Sequence, residues 1–159
     1  MTIRQAAPQD AEAIAELFLP IVRDTTITFT TVEKTAAMIR AEIDARGAAY
    51  QVALLDGVVV GFATFFPFRS GPGYARTKEH TIILSPLAHG QGLGKALMDR
   101  LCDVARAQGV HSLIAGVSGE NAAGLAFHAA VGFKETTRLP EVGYQFGRSL
   151  ALVLMQKCL

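Results

Sequence analysis

The stretch Leu84–Met98, LSPLAHGQGLGKALM, constrains this chain more than any other part: an apolar strand-like run ends, a glycine-rich turn follows, and an amphipathic helix begins. Gly90, Gly92 and Gly94 carry no Cβ, so consecutive backbone N–H groups can turn inward at the positive end of the helix that follows. Such a turn cradles a phosphate or pyrophosphate. A nucleoside-triphosphate loop is excluded, because it needs Gly-Lys followed by Ser or Thr, and here Gly94-Lys95 precedes Ala96.

No repeat or low-complexity tract interrupts the chain, and its segments alternate between two hydrophobic periods, which predicts a mixed α/β arrangement. Ile14, Leu17, Phe18, Ile21 and Val22 recur at helical spacing, with Pro20 expected to kink that helix or end it early. A second helix is expected over about 35–46, closed by Gly47. Gln51–Leu55, the turn Asp56-Gly57 and Val58–Phe66 read as a hairpin, since Asp-Gly readily takes positive φ. A strand from about Arg76 to Leu84 leads into the glycine turn. The helix beyond it buries Leu93, Leu97, Leu101, Val104 and Ala105, with Lys95, Asp99, Arg100, Asp103 and Arg106 outside. Ser112–Val117 reads as a strand, Asn121–Val131 as a helix, and Phe133–Arg138 and Ser149–Lys157 as closing strands.

At 159 residues the chain is expected to form one domain, 1–159. Half its residues are hydrophobic and its net charge is +1, which excludes disorder and gives no broad electrostatic footprint for nucleic acid or an anionic membrane. The N-terminus has no apolar signal core, and runs such as Leu150–Met155 are too short to span a bilayer, so a cytoplasmic protein is expected. Cys102 and Cys158 offer neither a disulfide framework nor metal-ligand spacing and read as reduced thiols; no metal is expected.

The glycine turn together with GENAAGLAFHAAVGF (Gly119–Phe133) resembles the GNAT superfamily of acetyl-CoA-dependent N-acetyltransferases. TTITF at Thr25–Phe29, PFRSGPGY at Pro67–Tyr74, TKEHTIIL at Thr77–Leu84 and the C-terminal VGYQFGRSLALVLMQKCL are similar to the branch that acetylates phosphinothricin, methionine sulfoximine and methionine sulfone. The likeness covers nearly the whole chain. It implies a mainly antiparallel sheet flanked by helices, acetyl-CoA as co-substrate, a small amine as acceptor, and a homodimer.

The resemblance also assigns residues. The pyrophosphate would lie on His89, Gly90, Gln91, Gly92, Leu93, Gly94 and Lys95, and the pantetheine arm along the backbone of Ile82, Ile83 and Leu84, with a polar contact from Asn121. An extended arm can lie beside a strand edge as an added peptide strand does. His89 departs from the superfamily, which has Gln or Arg there, and its shorter side chain shifts phosphate contact to backbone amides. Glu79 stands where the branch keeps its proposed general base; a partly buried carboxylate has a raised pKa and can deprotonate an ammonium. A backbone N–H near Ile83 or Leu84, on a strand distorted beside the glycine turn, would stabilise the oxyanion. His128 occupies the position from which the leaving thiolate is protonated.

For the acceptor, the resemblance points to Arg69, Ser70, Gly71 and Tyr74, to Glu79, His80 and Thr81, and to Thr28 and Phe29. A guanidinium at Arg69 suits a carboxylate. The branch's second arginine is Gly71 here, its C-terminal Trp-Leu-Asp is Ser149-Leu150-Ala151, and the chain has no tryptophan. The expected activity is direct acetyl transfer to an amino-acid-like amine. The alternatives are another amine acceptor (a polyamine, an aminoglycoside or a protein N-terminus) or a non-catalytic CoA-binding module.

Overall fold

Residues 1–159 are described by a computed structural model. In chain order its elements are β1 (Thr2–Gln5), α1 (Ala11–Asp24), α2 (Ala36–Arg46), β2 (Tyr50–Leu55), β3 (Val58–Pro67), β4 (Thr77–Leu84), α3 (Leu93–Ala107), β5 (Ser112–Ser118), α4 (Ala122–Ala130), β6 (Lys134–Gln145) and β7 (Arg148–Cys158). The strands form one seven-stranded sheet in the order β1-β2-β3-β4-β5-β7-β6. Every neighbouring pair is antiparallel except β4 and β5.

Each face of the sheet has its own core, because alternate strand residues point to opposite sides. On one face α3 lays Leu93, Leu97 and Leu101 against Phe65, Leu113 and Val153, and Phe127 of α4 packs at the margin. On the other, Ile14, Phe18 and Val22 of α1 and Ile39 and Ile43 of α2 meet Val52, Phe62 and Ile83. Side-chain oxygens of Thr35 and Asn121 accept from the N–H of Met38 and Gly124, which fixes the starts of α2 and α4. Asp56 and Gly57, both at positive φ, close the β2–β3 hairpin.

Two element ends lie beyond their expected places. Helix α1 does not end early at Pro20 but continues to Asp24. Pro20 is exposed, so the carbonyl that loses its partner faces water, while Phe18 and Val22 hold both sides of the proline to the core. Strand β6 extends seven residues' worth of pattern beyond Arg138, to Gln145. It crosses Pro140 through an irregularity between the pairs Leu139–Leu152 and Gly143–Leu150, with Glu141 at φ 56°. As an edge strand it tolerates a proline that a central strand would not.

Strands β4 and β5 pair only from Thr77–Ser112 to His80–Ala115. Beyond His80 they part, and β4 keeps its other neighbour, β3, as far as Leu84. This fork in the middle of the sheet positions the candidate site.

Candidate active site

At the fork, half of the β4 backbone has no strand to bond. The N–H of Ser85 donates to Val60 and that of Phe68 to Thr77, so the odd-numbered residues of β4 direct their backbone groups to β3. The even-numbered residues face the other way, and past His80 those are Ile82 and Leu84. Their N–H and C=O groups line the opening; those of Ile83 serve the sheet. The register with β3 is unbroken, so the strand distortion expected beside the glycine turn is absent, and the free N–H groups arise because β5 departs.

A cavity of about 190 Å³ fills the fork, lined by Thr28 and Phe29, by His80–Ile83 of β4, by Ala115–Ser118 of β5, and by Asn121 and His128. Two buried polar atoms here lack partners, Thr28 Oγ1 and His80 Nδ1. Orphaned buried groups are rare, and a ligand or water with matching donors and acceptors would satisfy these two. An extended, hydrogen-bonding chain such as pantetheine fits this lining.

The glycine turn stands at the mouth of the fork. Gly92 caps α3 with φ 74° and supplies no side-chain cap, which leaves the first N–H groups of the helix for a ligand. A Cβ on Gly94 would come 2.9 Å from Leu84 and 3.0 Å from Phe127, so glycine is what lets α3 approach the fork. Of the side chains assigned to the cradle, Leu93 is buried in the core, Gln91 donates to the Leu87 carbonyl, and Lys95 pairs with Asp99 at 2.5 Å. His89 is exposed. The turn therefore presents mainly backbone.

Glu79 and Thr81 point to the α1–α2 face, into a second cavity of about 560 Å³ that they share with Thr28 and Phe29. The Glu79 carboxylate makes no hydrogen bond, and burial pushes its pKa up. It lies against Gly116, where a Cβ would sit 3.2 Å from Oε1. The acid thus stands at the crotch of the fork, between the two cavities.

His80 and His128 meet on the opposite face, with their Nε2 atoms 3.2 Å apart. His128 Nδ1 lies 2.7 Å from the Gly124 carbonyl, which can only accept, so Nδ1 carries the proton. Nε2 of His128 must then accept from Nε2–H of His80, which leaves His80 Nδ1 bare. Burial holds both rings neutral, pushing His80 down to about 3 and lowering His128 despite the Gly124 contact. The neutral His128 has no free N–H to offer the fork.

The loop 68–76 carries Arg69, Ser70, Gly71 and Tyr74 outside both cavities. Ser70, Gly71 and Tyr74 are exposed, and the Arg69 guanidinium lies 5.4 Å from the centre of the Tyr74 ring. Instead, the second cavity contains three charged residues that the motifs did not indicate: Lys34, Glu42 and Arg46. For Glu42 and Arg46 the signal was helical spacing, since they share one face of α2 with Ile39 and Ile43, whereas Lys34 lies before the helix and had none. The loop between α1 and α2 roofs both cavities. It is tied down by Thr26 to Glu120, which pairs with Arg148, and by Gln145 to the Thr30 carbonyl.

The chain is similar to known proteins over nearly its whole length. The acetyltransferase (GNAT) family model matches residues 14–133. The L-methionine sulfoximine/L-methionine sulfone acetyltransferase of Salmonella typhimurium is 38% identical, over 98% of this chain and 93% of its own. The L-amino acid N-acyltransferase MnaT of Escherichia coli is 39% identical, over 98% and 92%. Among solved structures, an acetyltransferase from Salmonella typhimurium with its cofactor acetyl-CoA superposes with a TM-score of 0.94 at 37% identity, covering 99% of this chain and 93% of the other. A phosphinothricin acetyltransferase from Sinorhizobium meliloti in complex with acetyl-CoA gives 0.92 at 31%, covering 99% and 88%. The chain belongs to the GNAT family of acetyltransferases. It has the fold of that family, a mixed sheet between helices, and is an N-acetyltransferase.

Proposed function

We propose that this chain acts as a single catalytic domain that moves acetyl from acetyl-CoA to the amine of a small amino-acid-like acceptor, of the methionine sulfoximine, methionine sulfone or phosphinothricin type. The observation that carries the reading is the unpartnered Glu79 carboxylate, which lines the cavity suited to a small acceptor and lies against Gly116 in the wall of the one suited to an extended cofactor arm. Both relatives described above carry amino-acid acceptors in their names.

Bound acetyl-CoA supplies a thioester whose carbonyl carbon accepts the amine nitrogen as the C–S bond breaks. The backbone at Ile82 and Leu84 holds the arm and offers N–H to the carbonyl oxygen. Asn121, at the start of α4, and Thr28 add polar contacts. The turn Gly90–Lys95 takes the pyrophosphate through its N–H groups. Glu79, with its raised pKa, removes a proton from the acceptor's ammonium and passes it to solvent. His128, whose proton is committed to Gly124, fixes His80 and the wall of the fork, and water protonates the thiolate. The loop with Arg69, Ser70, Gly71 and Tyr74 forms the rim on the acceptor side.

The proposed assembly is a homodimer in the cytoplasm. Its support is the outer strand β6, which with its turn exposes Leu139, Val142, Tyr144 and Phe146. No helix is long and apolar enough to cross a membrane.

The test of the function is a thiol-release assay with acetyl-CoA against free amino acids, methionine sulfone, methionine sulfoximine, phosphinothricin, and amines without a carboxylate. Turnover concentrated among amino acids is the expected result. Turnover confined to polyamines, aminoglycosides or peptide N-termini would overturn the acceptor class.

A further inference from the structure

We infer that Arg46, reaching from the end of α2 into the second cavity, anchors the acceptor's carboxylate while Glu79 faces its amine. The inference rests on the amino-acid reading above and names the group that enforces it. The Arg46 guanidinium is held in place by aromatic rings, 5.0 Å from the centre of Phe66 and 5.9 Å from that of Tyr50. One of its nitrogens donates to Thr64 Oγ1 at 3.2 Å and stands 3.6 Å from Glu42. Its Nε and other terminal nitrogen make no hydrogen bond within the chain. A planar donor fixed on one edge and free on the other suits a carboxylate.

Charge in the cavity is divided in a way that favours a zwitterion. Glu42 is matched by Lys34, whose ammonium lies 2.5 Å from it. The α2 end thus holds two cations and one anion, a surplus of positive charge, and the β4 end holds Glu79. Phe66, beneath the guanidinium, stands directly opposite Glu79 in the β3–β4 register, and Thr64 stands opposite Thr81. Arg46 and Glu79 thus line one cavity and form no ion pair with each other, which leaves both free for the two charges of a zwitterion. Phe18, Ile39, Phe62 and Phe66 make the remaining walls largely apolar, which suits an acceptor whose side chain is uncharged. Arg69, on its exposed loop, does not reach this cavity.

The decisive comparison uses the best amino-acid acceptor of the thiol-release assay and its α-carboxamide, with wild type, Arg46→Met and Arg46→Lys. Arg46→Met should lower kcat/KM for the acid roughly thirty- to a thousandfold, chiefly through KM, and for the carboxamide less than about threefold. Arg46→Lys, which keeps the charge and loses the fork of donors, should fall between. Both variants should keep the full thermal shift with acetyl-CoA, which shows that fold and cofactor site are intact; should Arg46→Met lose it, the acid-against-amide ratio of Arg46→Lys decides. Equal losses for acid and carboxamide, or no loss, would overturn the anchor. A wild-type enzyme active on amino acids with an indifferent Arg46→Met overturns this inference alone. A wild type inactive on every amino acid overturns the acceptor reading and the anchor together.

Discussion

Glu79 shows how a single buried acid is costly to the fold and, in the proposed mechanism, useful to the reaction. Burial raises its pKa above the unfolded value, so the stability linked to it is complete below the unfolded value and is lost as pH rises through the native one. Glu79→Gln removes that loss. The variant should melt higher than wild type at neutral pH and show no advantage near pH 4, measured by thermal denaturation without ligand. It should also keep its acetyl-CoA shift and lose roughly 10²- to 10⁴-fold in kcat/KM, most at low pH where the acceptor is protonated. Wild-type rates across pH 6 to 9 would remove the acid from the mechanism.

The histidine pair has the opposite sign. His80 is held down to about 3, so the stability it contributes is complete above the unfolded value near 6.5 and is lost as pH falls from there toward 3. The loss for one such ring approaches about 1.4 kcal/mol per pH unit in that window. His80→Gln retains an N–H for His128 and should flatten the fall in urea midpoint between pH 7 and pH 5. An unchanged slope would place the acid sensitivity elsewhere.

Among the elements, the glycine turn was the most legible in the sequence because its chemistry is local. Gly92 is needed for its positive φ, and Gly94 for the close approach of α3 to Leu84 and Phe127. Gly92→Val or Gly94→Val should abolish the rise in melting temperature that acetyl-CoA gives wild type. Should both variants retain it, the turn does not hold the pyrophosphate. The fork was legible only in part. The apolar run Ile82–Leu84 announces a buried strand, but which of its backbone groups are free depends on where β5 leaves, and that is set by residues far along the chain. Strand β6 was cut short for a related reason: Pro140 and Gly143 look like breakers until their place at the sheet edge is known.

For the whole molecule, the layered arrangement follows from alternating periods, whereas the second cavity does not. Lys34, Glu42 and Arg46 lie on α2 and the loop before it, and they share a cavity with Glu79 only because α2 packs over β3, the neighbour of β4. No motif marks them. The exposed apolar residues of β6 belong to this scale too. Val142→Glu combined with Tyr144→Glu should convert a dimer to a monomer in sedimentation equilibrium; a wild type that sediments as a monomer would remove the proposed assembly.

The roof formed by the α1–α2 loop places Thr28 and Phe29 in the walls of both cavities, and Glu120 and Gln145 fasten that roof to distant parts of the fold. One stretch of backbone is therefore a wall to two chambers at once. If the proposed cofactor arm and acceptor occupy them, any shift of that wall by one substrate is felt by the other, and thermodynamic reciprocity requires the two effects on the dissociation constants to be equal.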